Sequence, residues 1–323
     1  MEIKYSVLNI LEKKKGEYIS GEDIAKELGI SRNYVWKCVN ALKREGHRIE
    51  SKTNSGYCLL SSIENFNSEK IKELTKENLD IYVFDEGDSS NNVLKDMASQ
   101  GAKEGTVVIL KHQSAGKGRN GRSFISDSES GLYMSILLRP RMPIQECVNL
   151  TVIAAVSTLC AIEATSGKEC SIKWVNDIYL DGKKVCGILT EAGVNVENST
   201  LDYAIVGIGV NVCTPKGGFD SSIKDIATSI YDEGAPQNYK SILCSKILDE
   251  FFSLYHNMPD RSYMRIYREK SNIIGKNVDV IFGEKIISGI VKDIDKDANL
   301  VVISGGQEYR FSSGEARIKK NEK

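Results

Sequence analysis

The sequence predicts an α+β protein of several domains: a winged helix-turn-helix head, a body in which strands alternate with helices, and a small all-β tail. Three observations carry this. The chain has 323 residues, too long for one ordinary core. Residues 1–60 show helical apolar spacing punctuated by glycine, then a short hairpin. From Asn272 on, two-residue alternation dominates.

In the head, Ile3, Val7, Ile10 and Leu11 share one face of a helix over residues 3–14. Ser20 caps a second helix that Gly29 stops after Leu28. Ser31 caps a third, from Arg32 to about Glu45, ended by Gly46. Helix, glycine turn and helix make the helix-turn-helix arrangement, with Ile24, Ala25, Leu28, Val35, Val39 and Leu42 as its core. Arg48–Ser51 and Gly56–Leu60 form a hairpin wing around Lys52-Thr53-Asn54-Ser55. Ser31, Arg32, Asn33, Tyr34 and Lys37, with Lys52 on the wing, offer groups that reach base edges and phosphates. A small protein-interaction module is the other reading of the same pattern. Residues 1–60 carry a net charge of +3 against −1 for the whole chain, so the remainder carries −4. A basic head on an acidic body fits nucleic-acid contact, and a fluctuation of this size also arises by chance.

Ser61–Asn65 is short, polar and aperiodic, and reads as a linker. Ser68 caps a helix to about Thr75. Ile81–Phe84 is a strand that delivers Asp88-Ser89-Ser90-Asn91. Those short polar side chains pair with a neutral urea-like group, or Ser90 or Asn91 caps a helix over Val93–Ala98; the two roles are compatible.

A buried strand, Val107–Leu110, leads into Gln113-Ser114-Ala115-Gly116-Lys117-Gly118-Arg119-Asn120-Gly121-Arg122. Glycines let the backbone approach a ligand, and the interleaved cations neutralise phosphate or carboxylate oxygens. Such a loop is expected to be mobile when free and to order on an anion. The same letters spell GxGxxG, but no helical period follows Arg122, so the dinucleotide fingerprint is rejected. No Gly-Lys-Ser/Thr follows either, which excludes a P-loop. Taken alone, the stretch is as compatible with a solvated hairpin.

Leu132–Leu138 is a strand, and Pro143 to about Thr165 a long apolar core helix. Ser171–Trp174 is a strand ending in Val175-Asn176-Asp177, followed by a hairpin through Asp181-Gly182 to Lys184–Glu191. Ala204–Asn211 is buried strand, residues 213–222 a glycine-rich loop, and 237–270 helical. The tail strands lie at 278–282, 286–291, 300–304 and 308–311.

No run reads as apolar enough to span a membrane, and the N-terminus lacks a signal-peptide core. Eight scattered cysteines without CxxC, and three histidines without ligand spacing, indicate reduced cytoplasmic thiols and no structural metal.

Asp88-Ser89-Ser90-Asn91, the glycine-rich loop, Lys173-Trp174-Val175-Asn176-Asp177 with Lys184, and Gly207-Ile208-Gly209-Val210-Asn211 stand in the order and spacing of the biotin–protein ligases. The set resembles that family, and the head resembles its bifunctional ligase/repressor members. The resemblance covers essentially the whole chain. It implies a winged helix-turn-helix over 1–63, a class II synthetase-like ligase domain with a mixed sheet over 64–271, and an SH3-like barrel over 272–323. It implies two half-reactions: biotin carboxylate attacks the α-phosphate of ATP, then a lysine of a biotin carboxyl carrier domain attacks the mixed anhydride. Mg²⁺ is expected with ATP.

By resemblance, Ser89, Ser90, Asn91 and Gln113 face biotin, with Lys117, Gly118, Arg119 and Lys184. Arg122, Phe124, Asn176 and Asn211 face ATP or the adenylate, and Phe124 can stack on adenine. Lys117, Arg119, Arg122 and Lys184 supply positive charge in the transition state. Asp177 orients the incoming amine or holds its loop. A loop equivalent to 213–222 folds over the nucleotide. Ser90, Lys117, Phe124 and Val175 stand where the family usually has threonine, arginine, tryptophan and proline. Operator DNA and an adenylate-linked homodimer are the implied partners. The rivals are a non-enzymatic biotin-sensing repressor and a lipoate or octanoyl transfer enzyme.

Overall fold

The computed structural model describes residues 3–53, 55–61, 66–126, 130–195 and 200–319. The chain divides into two compact units, Met1–Asn65 and Phe66–Lys323. Asn54 of the wing turn, residues 62–65 of the expected linker and residues 127–129 lie outside the described residues.

The first unit contains α1 (Ile3–Lys13), α2 (Gly21–Leu28), α3 (Arg32–Arg44), β1 (Arg48–Lys52) and β2 (Gly56–Ser61). Ser20 caps α2 by accepting the Asp23 amide, and Gly29 ends it with φ +65°. Ser31 caps α3 by accepting the Tyr34 amide. Val7, Leu8, Leu11, Ile24, Val35, Val39 and Leu42 form the core. β1 and β2 pair antiparallel from Lys52↔Gly56. Gly56 has φ +100°, and a Cβ there would lie 2.0 Å from the Ile19 carbonyl, so glycine is required where the wing meets the head.

In the second unit, α4 (Ser68–Leu74) is capped by Asn67, whose Oδ1 accepts the Lys70 amide at 2.9 Å. That corrects the expectation of Ser68; the cap sits one residue earlier, where the backbone is still extended. Next come β3 (Asp80–Gly87), α5 (Ser90–Ser99), β4 (Thr106–Gln113) and β5 (Gly131–Leu138). A short 3-10 turn precedes α6 (Cys147–Ser166), followed by β6 (Cys170–Lys173), β7 (Asp177–Leu180), β8 (Lys183–Asn195) and β9 (Thr200–Asn211). The sheet order is β3-β4-β5-β9-β8-β7-β6. β3 and β4 are parallel and the other pairs antiparallel, so the sheet is mixed. Period-two geometry sends Val107 and Ile109 to one face, with Leu150, Ile153 and Val156 of α6. Val108 and Leu110 go to the other, with Leu94 and Ala98 of α5. Both faces are thus covered.

The segment Ile144–Ser166 has a mean hydropathy of 1.8 and is long and apolar enough to cross a membrane, contrary to the sequence expectation. It is 72% buried inside the fold, as a core helix is. α7 (Tyr239–His256) packs beside α6, and α8 (Tyr263–Glu269) follows. The remaining strands are β10 (Asn277–Phe282), β11 (Lys285–Ile294), β12 (Leu300–Ser304), β13 (Gln307–Phe311) and β14 (Glu315–Ile318). They form one antiparallel sheet in the order β13-β12-β11-β10-β14.

Candidate active site

The end of β3 and the start of α5 deliver Ser89, Ser90 and Asn91, all buried. Ser89 occupies the cap position of α5 but makes no side-chain cap bond. Ser90 and Asn91 lie inside the first turn, so neither caps the helix, and their side chains are turned to other partners. Gln113 Oε1 accepts from the Ser90 amide at 2.9 Å and from its hydroxyl at 3.1 Å. Ser135 Oγ, fully buried on β5, lies 2.7 Å from Ser90 Oγ and 2.6 Å from Asn91 Oδ1. Asn91 Nδ2 donates to Glu191 Oε2 at 2.7 Å. The result is a compact cluster of oxygens backed by strands.

Bare backbone makes room for it. A Cβ on Gly207 would fall 2.3 Å from Asn91 Oδ1, and one on Gly209 would fall 2.7 Å from the Phe124 ring. Phe124 packs edge-on to Tyr133, ring centroids 6.2 Å apart, and closes this pocket between Gly187 and Gly209.

The glycine-rich loop folds as a tight hairpin. Lys117 and Ser123 pair, and the Gly118 and Phe124 amides donate to Arg122 O and Gly116 O at 2.7 and 2.8 Å. Only Asn120 and Gly121 take positive φ there, +57° and +72°. Gly116 matters for another reason: a Cβ would lie 2.3 Å from the Phe124 carbonyl.

Gly118, Arg119, Asn176 and Lys184 border both this pocket and an adjoining open cleft. Arg119 donates to Asn176 Oδ1 at 2.9 Å and to the Gly314 carbonyl at 3.3 Å. These acceptors are neutral, so its charge is left for a substrate. Lys184 Nζ lies 2.7 Å from Asp177 Oδ1. Arg122 pairs with Glu315 at 2.6 Å, an exposed contact of small energetic value. Lys117 donates to Asn92 and lies 3.8 Å from Glu191. Four cations thus converge from loop and hairpin.

The Trp174–Val175 peptide bond is cis. Tyr267 donates to the Val175 carbonyl at 2.9 Å and Trp174 to the Ala298 carbonyl at 2.8 Å, holding the turn that carries Asn176 and Asp177.

Several site residues were not singled out from sequence: Tyr133, Ser135, Glu191, Tyr179 and Glu315; Lys173 stood inside its motif without an assigned role. Burial lowers the Lys173 ammonium below the usual lysine range, against the pull of Asp177 and Glu315. Burial, with Asp177 and Glu315, pushes the neighbouring Tyr179 hydroxyl up to about 12. Asn211 is not among the residues bordering the two cavities. Its Nδ2 donates to the Thr228 carbonyl at 2.9 Å, tying β9 to the following segment. Ile226 borders the cleft, and Lys184 pairs with Ala227. The chain just beyond 213–222 therefore reaches the site.

In the first unit, Ser31, Arg32, Asn33, Tyr34 and Lys37 are exposed along α3, as is Lys52 on the wing. Ser31 Oγ is taken up by the Tyr34 amide. Trp36, also exposed on α3, escaped the sequence reading although an unpatterned tryptophan was its signal.

Residues 83–211 match the biotin/lipoate A/B protein ligase family, residues 4–58 an HTH domain, and residues 273–317 the biotin protein ligase C-terminal domain. The chain is 36% identical over 233 residues to a bifunctional ligase/repressor BirA of Bacillus spizizenii, covering 71% of this chain and 70% of that one. It is 26% identical over 313 residues to the bifunctional ligase/repressor BirA of Escherichia coli, covering 95% of each. A biotin protein ligase from Aquifex aeolicus, solved in complex with biotin and ATP, superposes with a TM-score of 0.63 at 27% identity, covering 75% of this chain and 99% of that one. With the site and these likenesses together, this chain belongs to the biotin/lipoate A/B protein ligase family, among its biotin protein ligases.

Proposed function

We propose that the chain is an ATP-dependent biotin–protein ligase whose head makes it a biotin-responsive repressor. The observation that carries this is the junction of an oxygen-rich buried cluster at Ser90, Gln113, Ser135 and Asn91, with Lys117 in the same pocket, and an adjoining cleft bearing Arg119, Arg122 and Lys184. The cluster suits the N–H groups of a ureido ring, and the cations suit carboxylate beside triphosphate.

In the first half-reaction, a biotin carboxylate oxygen bonds to the α-phosphorus of ATP and the bond to the bridging oxygen breaks, releasing pyrophosphate. The two anions repel each other. Arg119, on neutral acceptors, and Lys184, steadied by Asp177, offset that repulsion where charge develops. In the second, a lysine amine of a carboxyl carrier domain attacks the anhydride carbonyl and AMP leaves. Asp177 serves here by holding Lys184. Mg²⁺ would come with the nucleotide and would offset phosphate charge; among the residues bordering the cleft, Asp177 and Glu315 are the carboxylates that would face it.

Ser89, Ser90, Asn91 and Gln113 face biotin, and Arg122 and Asn176 face the nucleotide side; Phe124, expected on adenine, lies in the biotin pocket beside Tyr133. The C-terminal sheet is read as SH3-like, on the shortness and antiparallel order of its strands. Operator DNA is the partner of α3 and the wing, and the adenylate-bound form pairs with a second copy. Eight free cysteines accord with a reducing cytoplasm.

Pyrophosphate exchange into ATP, run with biotin and separately with lipoate, tests the reading. Exchange with biotin alone is expected. Exchange with lipoate alone would make this a lipoate enzyme, and none with either would leave a ligand-sensing repressor.

A further inference from the structure

Glu191 meets the binding cluster from behind. Its Oε2 accepts from Asn91 Nδ2 at 2.7 Å, and its Oε1 lies 3.8 Å from Lys117 Nζ. A carboxylate only accepts, so it dictates which edge of the Asn91 amide faces β8. The second acceptor on that side is the Leu189 carbonyl, 3.4 Å from the same nitrogen. Asn91 Oδ1 is therefore turned to Ser135 and to the bare backbone of Gly207.

The other end of the cluster is fixed in the same sense. Ser126 Oγ donates to the Phe124 carbonyl at 3.0 Å and accepts from Gln113 Nε2 at 2.8 Å. Gln113 Oε1 then takes the Ser90 proton. Ser135 has one proton and two acceptors, Ser90 Oγ and Asn91 Oδ1. Between these two ends, oxygen lone pairs outnumber hydrogens. Such a cluster is completed by a ligand that brings N–H groups, and gains nothing from a plain acyl chain.

We propose that Glu191 is a positioning residue that sets the hydrogen-bond polarity of the pocket, making it select an N–H-bearing ring. The inference rests on the biotin-ligase reading. Asn91→Asp would set a second carboxylate against Glu191 and break the arrangement. Adding Glu191→Gln returns a donor to that contact, with the acceptor edge of position 91 still facing Ser135.

The test is biotin-dependent pyrophosphate exchange in the full chain, reading KM for biotin and kcat separately. N91D is expected to raise the biotin KM by about tenfold or more, the worth of a charge-assisted bond. N91D/E191Q is expected to recover most of that loss. Glu191→Ala alone should raise the biotin KM while kcat changes less. With the wild type active, a double variant no better than N91D, or an unchanged biotin KM in Glu191→Ala, overturns the proposal. The single Glu191→Ala measurement decides the matter if N91D does not fold. A wild type inactive with biotin instead removes the ligase reading itself, and the inference with it.

Discussion

Lys184 Nζ lies 2.7 Å from Asp177 Oδ1, across the hairpin of β7 and β8. The ladder shifts between Ile178 and Tyr179, so Tyr179 faces Lys184 while Leu180 faces Lys183. Neighbouring strand residues point to opposite faces. One lysine is thus aimed into the cleft, and the other reaches toward the Lys224 carbonyl, 3.4 Å away. Lys184→Ala should slow adenylate formation by about tenfold or more, since a charge-assisted contact contributes about 1.5–3 kcal/mol. Lys183→Ala should stay within about twofold, as solvated charges do. Single-turnover formation of the adenylate is the measurement; a slower Lys183→Ala enzyme would mean that the hairpin register is wrong.

Arg119 bridges Asn176 and the Gly314 carbonyl, while Arg32 is exposed on α3 of the other unit. Arg119→Ala should cost about tenfold or more in exchange rate, at about 1.4 kcal/mol per decade. Arg32→Ala should leave exchange intact and weaken DNA binding. Equal exchange rates in the two variants would remove the loop from the reaction.

Gly207→Ala should damage the pocket more than Gly182→Ala damages anything. The added methyl would meet Asn91 Oδ1 at 2.3 Å, and that side chain is held by Glu191 and Ser135. Overpacking of this kind costs about 1–3 kcal/mol. A lower melting temperature and a raised biotin KM are expected together. At Gly182 no atom of the described residues lies within 4 Å of an added Cβ, which leaves the strain of φ +76°. A Gly207→Ala enzyme with wild-type biotin KM would show that Asn91 is free to move aside.

What could be read from the sequence was local chemistry. Ser20, Gly29 and Ser31 announce their caps because capping needs only neighbours in the chain. The glycine-rich loop was visible as a stretch, though alone it fitted a solvated hairpin equally well, and it was the family resemblance that chose Lys184 over Lys183. Ser135 and Glu191 were not, because they meet Asn91 across 44 and 100 residues. On their strands they occupy ordinary alternating positions. The lone serine in Leu132–Leu138 was the available signal: a polar group in a strand buried throughout needs a partner. Asn67 and Ser68 are both cap formers, and only the extended backbone at Asn67 chooses between them. The tail's strands were legible from alternation, whereas their order depends on contacts that alternation does not encode.

His47 is 7% exposed, and its Nδ1 has no hydrogen-bond partner among the described residues. Burial lowers its pKa, only partly opposed by Glu45 and Glu12. The folded head therefore binds this proton less readily than the unfolded chain does. The associated stability is present above the ordinary histidine value, near 6.5, and is lost as pH falls through the lower folded value. Urea unfolding followed by fluorescence of the exposed Trp36 should show a lower midpoint at about pH 5.5 than at about pH 7.5. His47→Gln should flatten that difference. A wild-type midpoint independent of pH would mean the imidazole is solvated.

Ligand and operator binding are expected to be coupled through the pairing of two chains. A palindromic operator is held tightly only by two heads. A ligand shifts a monomer–dimer equilibrium only by its differential affinity for the two states. The glycine-rich hairpin and the segment through Ala227 both border the site that an adenylate would fill, so they are the parts whose order a bound adenylate can change. If either borders the surface of a pair, biotin with ATP strengthens operator binding, and acceptor protein weakens it by consuming the adenylate. The unit Phe66–Lys323 carries every residue of the proposed ligase site. A fragment beginning there should keep exchange activity and lose DNA binding. Footprinting upstream of biotin synthesis or uptake genes, with and without biotin plus ATP, reads the effect directly. Protection that appears or extends with ligand is expected. Identical protection in both conditions would separate the two activities, leaving a ligase and a repressor that share a chain but not a signal.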